Sequence, residues 1–173
     1  MADAAKITLV LGGARSGKSR FAESLIAALP PPWIYVATAQ GNDAEMAERI
    51  AGHRARRGPQ WRTVEAPRSL DEALLEHASA PVLVDCLTLW LSNAMLADGA
   101  IEQETANIEQ ALARATAPKV LVSNEVGLGL VPDTPLGRRF RDAQGVLNQR
   151  IAAVADRVVL MVAGLPLVVK GRL

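Results

Sequence analysis

The chain has 173 residues, of which 50% are hydrophobic, 21% charged and 3% aromatic. This length and composition exclude a disordered or fibrous protein, and they predict one domain over residues 1–173 with a core of Ala, Val and Leu side chains. The 19 basic and 18 acidic residues leave a formal net charge of +1, so the overall charge indicates no nucleic-acid partner and no anionic membrane surface.

Cysteine usage and hydropathy predict the compartment. The single cysteine, Cys86, cannot form an intramolecular disulfide, which is compatible with a reducing cytosol. The N-terminal residues lack the charged-then-apolar layout of a signal peptide. The longest apolar stretch, 158–169, is interrupted by Gly164 and Pro166, and it is shorter than the roughly 20 residues of a spanning helix. We interpret it as a buried strand with its turn, and we expect a cytoplasmic protein without a membrane span.

Apolar segments rich in β-branched residues alternate along the chain with segments of helical period. The predicted strands cover 7–11, 33–37, 82–85, 120–123 and 158–163. The predicted helices cover 18–28, 43–57, 70–78, 88–96, 101–115 and 137–155. Ser69 and Glu72 predict a capping box at the third helix. Because continuous apolar strands are buried on both faces, this order predicts an α/β fold, a mostly parallel sheet with helices on both faces and ligands at the carboxyl ends of its strands.

A phosphate-binding motif of the form G-x-x-x-x-G-K-[ST] follows the first predicted strand and opens the first predicted helix. Its residues are Gly12, Gly13, Ala14, Arg15, Ser16, Gly17, Lys18 and Ser19. Glycines allow the backbone N–H groups to converge on phosphate oxygens, and the helix N-terminus adds positive charge. Lys18 is expected to reach the β- and γ-phosphates of ATP or GTP, and Ser19 to ligate Mg²⁺. The alternative is a glycine-rich turn without a ligand, but the flanking strand and helix favour nucleotide binding.

Asp85 ends the apolar run 81–85, where a Walker B carboxylate holds Mg²⁺ directly or through water. The alternative is an N-cap for the helix that follows. A phosphate loop upstream requires a carboxylate on the magnesium side, so we favour the metal role. Ser19 and Asp85 are therefore the predicted metal residues.

One face of the predicted helix over 43–57 is strongly cationic. Arg49, His53, Arg56 and Arg57 recur there at spacings of three and four residues. Neighbouring positive charge biases His53 toward the neutral form, which is the nucleophilic one, and the arginines could hold a triphosphate or pyrophosphate. On these residues alone, a solvated basic helix face is the commoner explanation. The other histidine, His77, is predicted to be a surface or capping residue.

Two later clusters have alternative interpretations. Glu125 lies in a glycine-rich turn after a buried strand. Either it orients a substrate hydroxyl, or the turn needs its glycines for a φ above zero and Glu125 simply faces solvent. The charged cluster at the start of the last helix could bind an anionic substrate, but paired surface charges are favoured. That cluster consists of Arg138, Arg139, Arg141 and Asp142.

Eight segments along nearly the whole chain resemble one enzyme family. They are LGGARSGKSRFAE from Leu11, YVATAQ from Tyr35, EMAERIAGHRARRG from Glu45, WRTVEAP from Trp61, VDCLTLWLSN from Val84, VSNEVGLGLVP from Val122, GRRFRDAQGVLNQ from Gly137 and VAGLPLVVK from Val162. Together they resemble the bifunctional adenosylcobinamide kinase/adenosylcobinamide-phosphate guanylyltransferases of cobalamin biosynthesis. The phosphate loop alone is shared by many unrelated enzymes.

The resemblance implies phosphorylation of the adenosylcobinamide side-chain hydroxyl by ATP or GTP. Transfer of GMP from GTP to that phosphate follows, giving adenosylcobinamide-GDP and pyrophosphate. It also implies a three-layer, RecA-like P-loop NTPase fold and a homotrimer. By the same resemblance His53 carries a covalent GMP, which reverses the solvated-face interpretation. The further nucleotide-binding positions that it implies are Ala37, Thr38, Ala39, Arg54, Ala55, Arg56, Arg57, Glu65 and Asp85.

Two rival functions stay open at this point. A small-molecule P-loop kinase would catalyse phosphoryl transfer alone, with His53 on the surface. A regulatory GTP-binding switch normally carries an [NT]-K-x-D motif for guanine, and the sequence has none.

Overall fold

A computed structural model of the protein describes residues 5–40 and 58–173, and seven strands of this part form one sheet. The strands are β1 (Ile7–Gly12), β2 (Trp33–Ala37), β3 (Trp61–Glu65), β4 (Val82–Asp85), β5 (Lys119–Asn124), β6 (Arg157–Val162) and β7 (Leu165–Lys170). Their order is β3-β2-β4-β5-β1-β6-β7, and every neighbouring pair is parallel except β6 and β7. Strand β5 is therefore inserted between β1 and β4, and the carboxyl ends of these three strands meet at one edge.

Helices cover both faces of the sheet. They are α1 (Lys18–Ala27), α2 (Leu70–Glu76), α3 (Leu87–Leu96), α4 (Ile101–Ala113) and α5 (Pro135–Val154). Helix α1 packs on one face through Ala22 and Ile26. The other four helices form the second hydrophobic cluster on the opposite face. The structure confirms the predicted mostly parallel sheet with helices on both faces.

Strand alternation explains why both faces are apolar. In β1, Leu9 packs toward α2 to α5 and Val10 toward α1; in β5, Leu121 and Val122 divide in the same way. All four side chains are fully buried. Since neighbouring side chains of a strand point to opposite faces, a continuous apolar run is what a strand covered on both sides requires.

The sequence missed two strands, both at sheet edges. In β3 the side chains of Arg62 and Thr63 are exposed, so no apolar run marks this strand. The stretch 158–169 is not one buried strand with a turn, because it forms β6, a turn at Ala163 and Gly164, and the exposed strand β7. Pro166 lies in this edge strand, where a missing N–H is tolerated.

The structure differs from the predictions for the N-termini of two helices, α2 and α5. The capping box at α2 was wrong: Ser69 occupies the N-cap position, but its side chain makes no capping hydrogen bond. Helix α5 begins at Pro135, two residues before the predicted start, because Thr134 caps it by accepting a hydrogen bond from Gly137 N. The helix predicted over 43–57 lies outside the described residues. Within the described part of the chain, none of the helices is both long and apolar enough to cross a bilayer.

Candidate active site

The loop between β1 and α1 curls back on itself. Ser16 N donates a hydrogen bond to Gly13 O at 3.3 Å, and Phe21 N donates to Gly17 O at 3.0 Å. Gly17 has a φ of 92° and Arg15 a φ of 56°. Glycine adopts such left-handed conformations without steric cost. The motif predicted from sequence therefore forms a tight strand–loop–helix turn, the context that a phosphate loop requires.

Two contacts explain why the loop begins with glycine and lies against the β6–β7 turn. A Cβ at Gly12 would collide with Ser16 Oγ and would lie 3.0 Å from Met161 O. Gly164 N donates a hydrogen bond to Ser16 O at 3.1 Å. The loop is thus braced by the turn between β6 and β7. Ser16 Oγ is buried and has no hydrogen-bond partner among the residues that the structure describes.

Lys18 lies at the start of α1 and folds back over the loop. Its Nζ donates a hydrogen bond to Gly13 O at 3.0 Å, and its side chain is half-buried. Burial lowers the pKa of Lys18, and the negative charge of Asp85 partly offsets that effect. The strand order places Asp85, at the carboxyl end of β4, on the same side of the sheet as the loop that carries this lysine.

Asp85 ends β4 at the same edge of the sheet. Tyr35 Oη donates a hydrogen bond to its Oδ2 at 2.6 Å, so one carboxylate oxygen is fixed by the neighbouring strand β2. The N-cap of α3 is Cys86 rather than Asp85, and it caps without a side-chain hydrogen bond. The capping alternative for Asp85 is therefore wrong.

Cys86 is buried directly beside this carboxylate. Burial and, second, the charge of Asp85 raise the pKa of the Cys86 thiol to about 11. The thiol is consequently protonated at neutral pH, and a nucleophilic role for it is disfavoured.

Thr38, the first residue after β2, is hydrogen-bonded to Cys86, the residue that follows Asp85. Thr38 Oγ1 donates to Cys86 O at 2.7 Å and accepts from Cys86 N at 2.8 Å. Asn93 Nδ2 donates to Thr38 O at 2.8 Å. Ala37 and Ala39, on either side of Thr38, are half-buried. Thr38 N also donates to Asp85 O at 3.3 Å, so the predicted positions 37–39 lie beside Asp85.

The other predicted site residues differ in how far they lie from the loop. Glu65 ends β3, pairs in register with Ala37 and has an exposed side chain. Glu65 lies at the carboxyl end of the outer strand β3. Three strands, β2, β4 and β5, separate it from β1 and the phosphate loop. The remaining predicted positions lie outside the described residues: Arg49, His53, Arg54, Ala55, Arg56 and Arg57.

The glycine-rich turn after β5 is also part of this edge. Glu125 Oε1 accepts a hydrogen bond from Gly127 N at 2.6 Å, and Glu125 N donates to Gly12 O at 3.1 Å. The turn interpretation is wrong in both its parts, because Glu125 folds back on the turn instead of simply facing solvent and neither Gly127 nor Gly129 has a positive φ. Sequence reasoning considered Glu125 but missed Asn124 beside it and Tyr35 on β2. Asn124 could have been found from the sequence, because it is a polar residue at the end of an apolar strand.

The charged residues expected at the surface have local partners. Arg138 Nη1 donates to Pro132 O at 3.0 Å and to Asp133 O at 2.8 Å. Arg141 Nε lies 3.8 Å from Asp142 Oδ1. His77 is the C-cap residue of α2. These contacts are structural, and they assign no substrate to the cluster.

Comparison with solved structures supports the P-loop fold. The chain is similar to an ATPase of the type III secretion system of pathogenic bacteria, with a TM-score of 0.55 and 13% sequence identity. The match covers 90% of this chain and 50% of that one. At this identity the likeness shows the fold alone, that of a P-loop ATPase.

Comparison with protein families identifies the enzyme class. The family model described as cobinamide kinase / cobinamide phosphate guanyltransferase matches residues 8–169. The chain is 49% identical over 167 residues to the bifunctional adenosylcobalamin biosynthesis protein CobP of Pseudomonas aeruginosa, covering 94% of this chain and 96% of that protein. It is 43% identical over 180 residues to the CobU protein of Salmonella typhimurium, covering 94% and 98%. The chain therefore belongs to the cobinamide kinase / cobinamide phosphate guanyltransferase family, a family of kinases and nucleotidyltransferases.

Proposed function

We propose that the protein phosphorylates adenosylcobinamide with ATP or GTP and then transfers GMP from GTP to adenosylcobinamide phosphate. The observation that carries this proposal is the curled loop from Gly12 to Ser19 beside Asp85, at the edge where β1, β4 and β5 end. Such a loop can hold a triphosphate, and the family supplies the corrinoid acceptor. The unpartnered Ser16 Oγ is a polar atom that a bound phosphate would satisfy.

In the first reaction, the acceptor hydroxyl attacks the γ-phosphorus. A new P–O bond forms, the bond to the β-phosphate oxygen breaks, and the hydroxyl proton leaves. Loose phosphoryl transfer needs positioning and charge neutralisation more than covalent help. Lys18 supplies positive charge at the loop, and the backbone N–H groups from Gly13 to Ser19 supply donors.

In the second reaction, His53 attacks the α-phosphorus of GTP. A P–N bond forms, the bond to the β-phosphate breaks, and pyrophosphate leaves. The phosphate of adenosylcobinamide phosphate then attacks the same phosphorus, so that a P–O bond replaces the P–N bond and the histidine is regenerated. This step rests on the cationic pattern of Arg49, Arg56 and Arg57 and on the family.

We assign Mg²⁺ binding to Ser19 and Asp85. Both supply oxygen donors, the ligands that Mg²⁺ prefers, and they lie on elements that meet at one edge. The described residues contain no group of three or more His, Cys, Asp or Glu side chains able to hold a metal ion. Phosphate oxygens would therefore complete the coordination, as is usual for Mg²⁺. An ion bound there would neutralise phosphate charge.

We also propose that the protein assembles as a homotrimer, as expected for the family resemblance. The outer strand β7 supports self-association because Leu165, Leu167 and Val169 are 70%, 56% and 63% exposed. Contiguous exposed apolar surface of this kind marks association sites. Light scattering measures the mass of the assembly in solution. Leu167→Glu is expected to lower that mass. A wild-type protein with the mass of a monomer would contradict the proposed assembly.

The decisive experiment labels the protein with GTP. Incubation with α-labelled GTP and Mg²⁺ should leave one GMP on the protein, stable to alkali and released by acid, as a phosphoramidate is. His53→Ala should abolish labelling while much kinase activity remains. His77→Ala, which changes the C-cap histidine of α2, is the matched control and should label normally. An unlabelled wild type that still phosphorylates adenosylcobinamide would favour the rival small-molecule kinase.

A further inference from the structure

Asn124 is the last residue of β5. Strand β5 lies between β1, which leads into the phosphate loop, and β4, which ends in Asp85. In register, Asn124 pairs with Gly12 and Val122 pairs with Asp85. Asn124 therefore lies beside the first glycine of the loop.

Strand alternation also decides which face Asn124 occupies. Val122 packs in the cluster on the α1 side of the sheet, together with Leu83 of β4. Asn124 and Asp85 each lie two residues farther along their strands, so both belong to this same face. Helix α1 begins on that face with Lys18. The carboxamide of Asn124 thus lies on the face that bears the lysine and the carboxylate.

The backbone around Asn124 is held by three different elements. Asn124 N donates to Thr88 Oγ1 of α3 at 2.8 Å, and Asn124 O accepts from Asn148 Nδ2 of α5 at 3.1 Å. Glu125 N donates to Gly12 O at 3.1 Å. Within the described part of the chain, the Asn124 side chain itself makes no hydrogen bond shown by the structure, although its backbone is fixed.

A buried polar network of three side chains supports the backbone of Asn124. Ser123 Oγ donates to Asn148 Oδ1 at 2.7 Å, and Gln144 Nε2 donates to both Ser123 Oγ at 3.0 Å and Asn148 Oδ1 at 2.9 Å. Because Asn148 Oδ1 accepts from both neighbours, the Nδ2 group is directed to Asn124 O. Ser123 and Gln144 are fully buried, and Asn148 is 6% exposed.

This network interrupts an interface that is otherwise apolar. Leu147 and Ile151 of α5 pack in the hydrophobic cluster on the same side of the sheet. Burying three polar side chains there carries a desolvation cost that a fully apolar interface would avoid. The cost is offset by hydrogen bonds among the three side chains and by one from Asn148 to the backbone carbonyl of Asn124, beside the phosphate loop. Gln144 Oε1 is left without a partner in the described part of the chain.

We propose that the Asn124 carboxamide donates a hydrogen bond to the γ-phosphate of the bound nucleotide in the kinase reaction. Asn148, with Ser123 and Gln144, is a positioning group that holds Asn124 there. The inference rests on the proposed function, because it needs a triphosphate in the loop. A donor at the γ-phosphate assists transfer of that group, whereas guanylyl transfer takes place at the α-phosphorus. Asn124 therefore serves one reaction and not the other.

The test measures the two reactions separately in the full-length protein. The kinase assay uses ATP and adenosylcobinamide; the transfer assay uses GTP and adenosylcobinamide phosphate. Asn124→Ala should lower the kinase kcat at least about tenfold, the scale on which a lost transition-state donor acts, with a smaller change in the KM for ATP. Guanylyl transfer should stay within about twofold, since no group at the α-phosphorus is removed.

The positioning role has its own variants. Asn148→Asp keeps the acceptor for Ser123 and Gln144 but replaces the donor to Asn124 O, so it should lower kinase kcat relative to guanylyl transfer. Ser123→Ala should act in the same direction. Leu147→Ala removes a buried side chain from the same interface and is the matched control. It should lower thermal stability without changing the ratio of the two rates.

The outcomes separate this inference from the proposed function. An Asn124→Ala variant with unchanged kinase kcat, or with equal losses in both reactions, overturns the inference alone. A change in rate ratio for Leu147→Ala as large as that for Asn148→Asp would reduce the network to a structural role. A wild-type protein that catalyses neither reaction would overturn the proposed function and the inference together.

Discussion

Tyr35 Oη donates a 2.6 Å hydrogen bond to Oδ2 of Asp85 across the neighbouring strands β2 and β4. A hydrogen bond to an ionised carboxylate contributes roughly 1.5–3 kcal/mol. Its importance here is orientation, because it fixes the rotamer of the residue to which we assign Mg²⁺. Tyr35 itself is buried, with its ring centre 6.2 Å from that of Trp61 in an edge-on arrangement.

Tyr35→Phe should therefore raise the Mg²⁺ concentration needed for half-maximal kinase activity by about three- to tenfold, less than the full contribution of one charge-assisted hydrogen bond, because the hydroxyl acts on the ion only by orienting the carboxylate. The ring and its packing against Trp61 are kept. A Mg²⁺ titration of the rate, with thermal denaturation to check folding, measures this effect. If half-maximal activity needed the same Mg²⁺ concentration in Tyr35→Phe as in the wild type, the hydroxyl would have no role in orienting Asp85.

Lys18→Ala should impair both reactions by about 100-fold or more, because each displacement needs the same triphosphate held and its charge offset. Lys6→Ala removes the same charge from a residue just before β1, at the opposite edge of the sheet, and is the matched control. Near-normal kinase and guanylyl transfer rates in Lys18→Ala would refute the phosphate-loop assignment.

Asp85→Asn should weaken nucleotide binding in the presence of Mg²⁺ more than in its absence, because the carboxylate acts through the ion. Calorimetric titration with and without Mg²⁺ measures the difference. The amide oxygen can still accept from Tyr35 Oη, so the fold is preserved. Asp133→Asn changes an exposed carboxylate before α5 and should alter neither affinity. Equal losses with and without the ion would assign Asp85 a structural role.

Cys86 should resist thiol reagents in the native protein. The side chain is buried, and its pKa is raised to about 11, so only about one thiol in a thousand is ionised at pH 8. Reaction with a disulfide reagent should proceed on the timescale of seconds only after denaturation. Since the chain has a single cysteine, the signal is unambiguous, and rapid native labelling would contradict the burial of this residue.

Lys119 predicts a pH dependence of stability. Its side chain is 1% exposed, and Nζ donates to the carbonyls of Ala78, Ala80 and Ala117 at 3.0, 2.8 and 2.9 Å. Burial and, second, the charge of Lys6 lower the pKa of Lys119 to about 8, from an ordinary value of 10.5.

The unfolded chain therefore binds more protons than the folded chain between pH 8 and pH 10.5. In this window the free energy of unfolding of the wild type should rise relative to that of Lys119→Met, by up to about 3 kcal/mol. Urea denaturation of both proteins across the window measures the difference. A constant difference would show that the three carbonyls hold the ammonium charged throughout.

Local chemistry explains how much of the molecule could be predicted from the sequence. The loop from Gly12 to Ser19 and the strand ending at Asp85 are each encoded by consecutive residues, and both were located to within a residue. Strands β3 and β7 were missed because edge strands need no apolar run, and their pairing depends on partners distant in sequence.

Contacts across the fold account for the rest of what was missed. Tyr35 and Asp85 are 50 residues apart, and Ser123 and Asn148 are 25 apart. Gln144 and Asn148 lie four positions apart on the apolar side of α5, a spacing visible in the sequence. Their partner, Ser123, becomes apparent only once α5 is packed on β5.

The hydrogen bond from Gly164 N to Ser16 O links the phosphate loop to the tip of the β6–β7 hairpin. The same hairpin presents the exposed apolar strand β7, the surface that we propose for self-association, so one hairpin joins the proposed nucleotide site to the proposed subunit contact. Binding equilibria that share one mobile element are reciprocally linked. If nucleotide shifts the hairpin, it changes the affinity for whatever covers β7 by some factor, and coverage of β7 must change nucleotide affinity by the same factor. The measured nucleotide affinity would then depend on protein concentration.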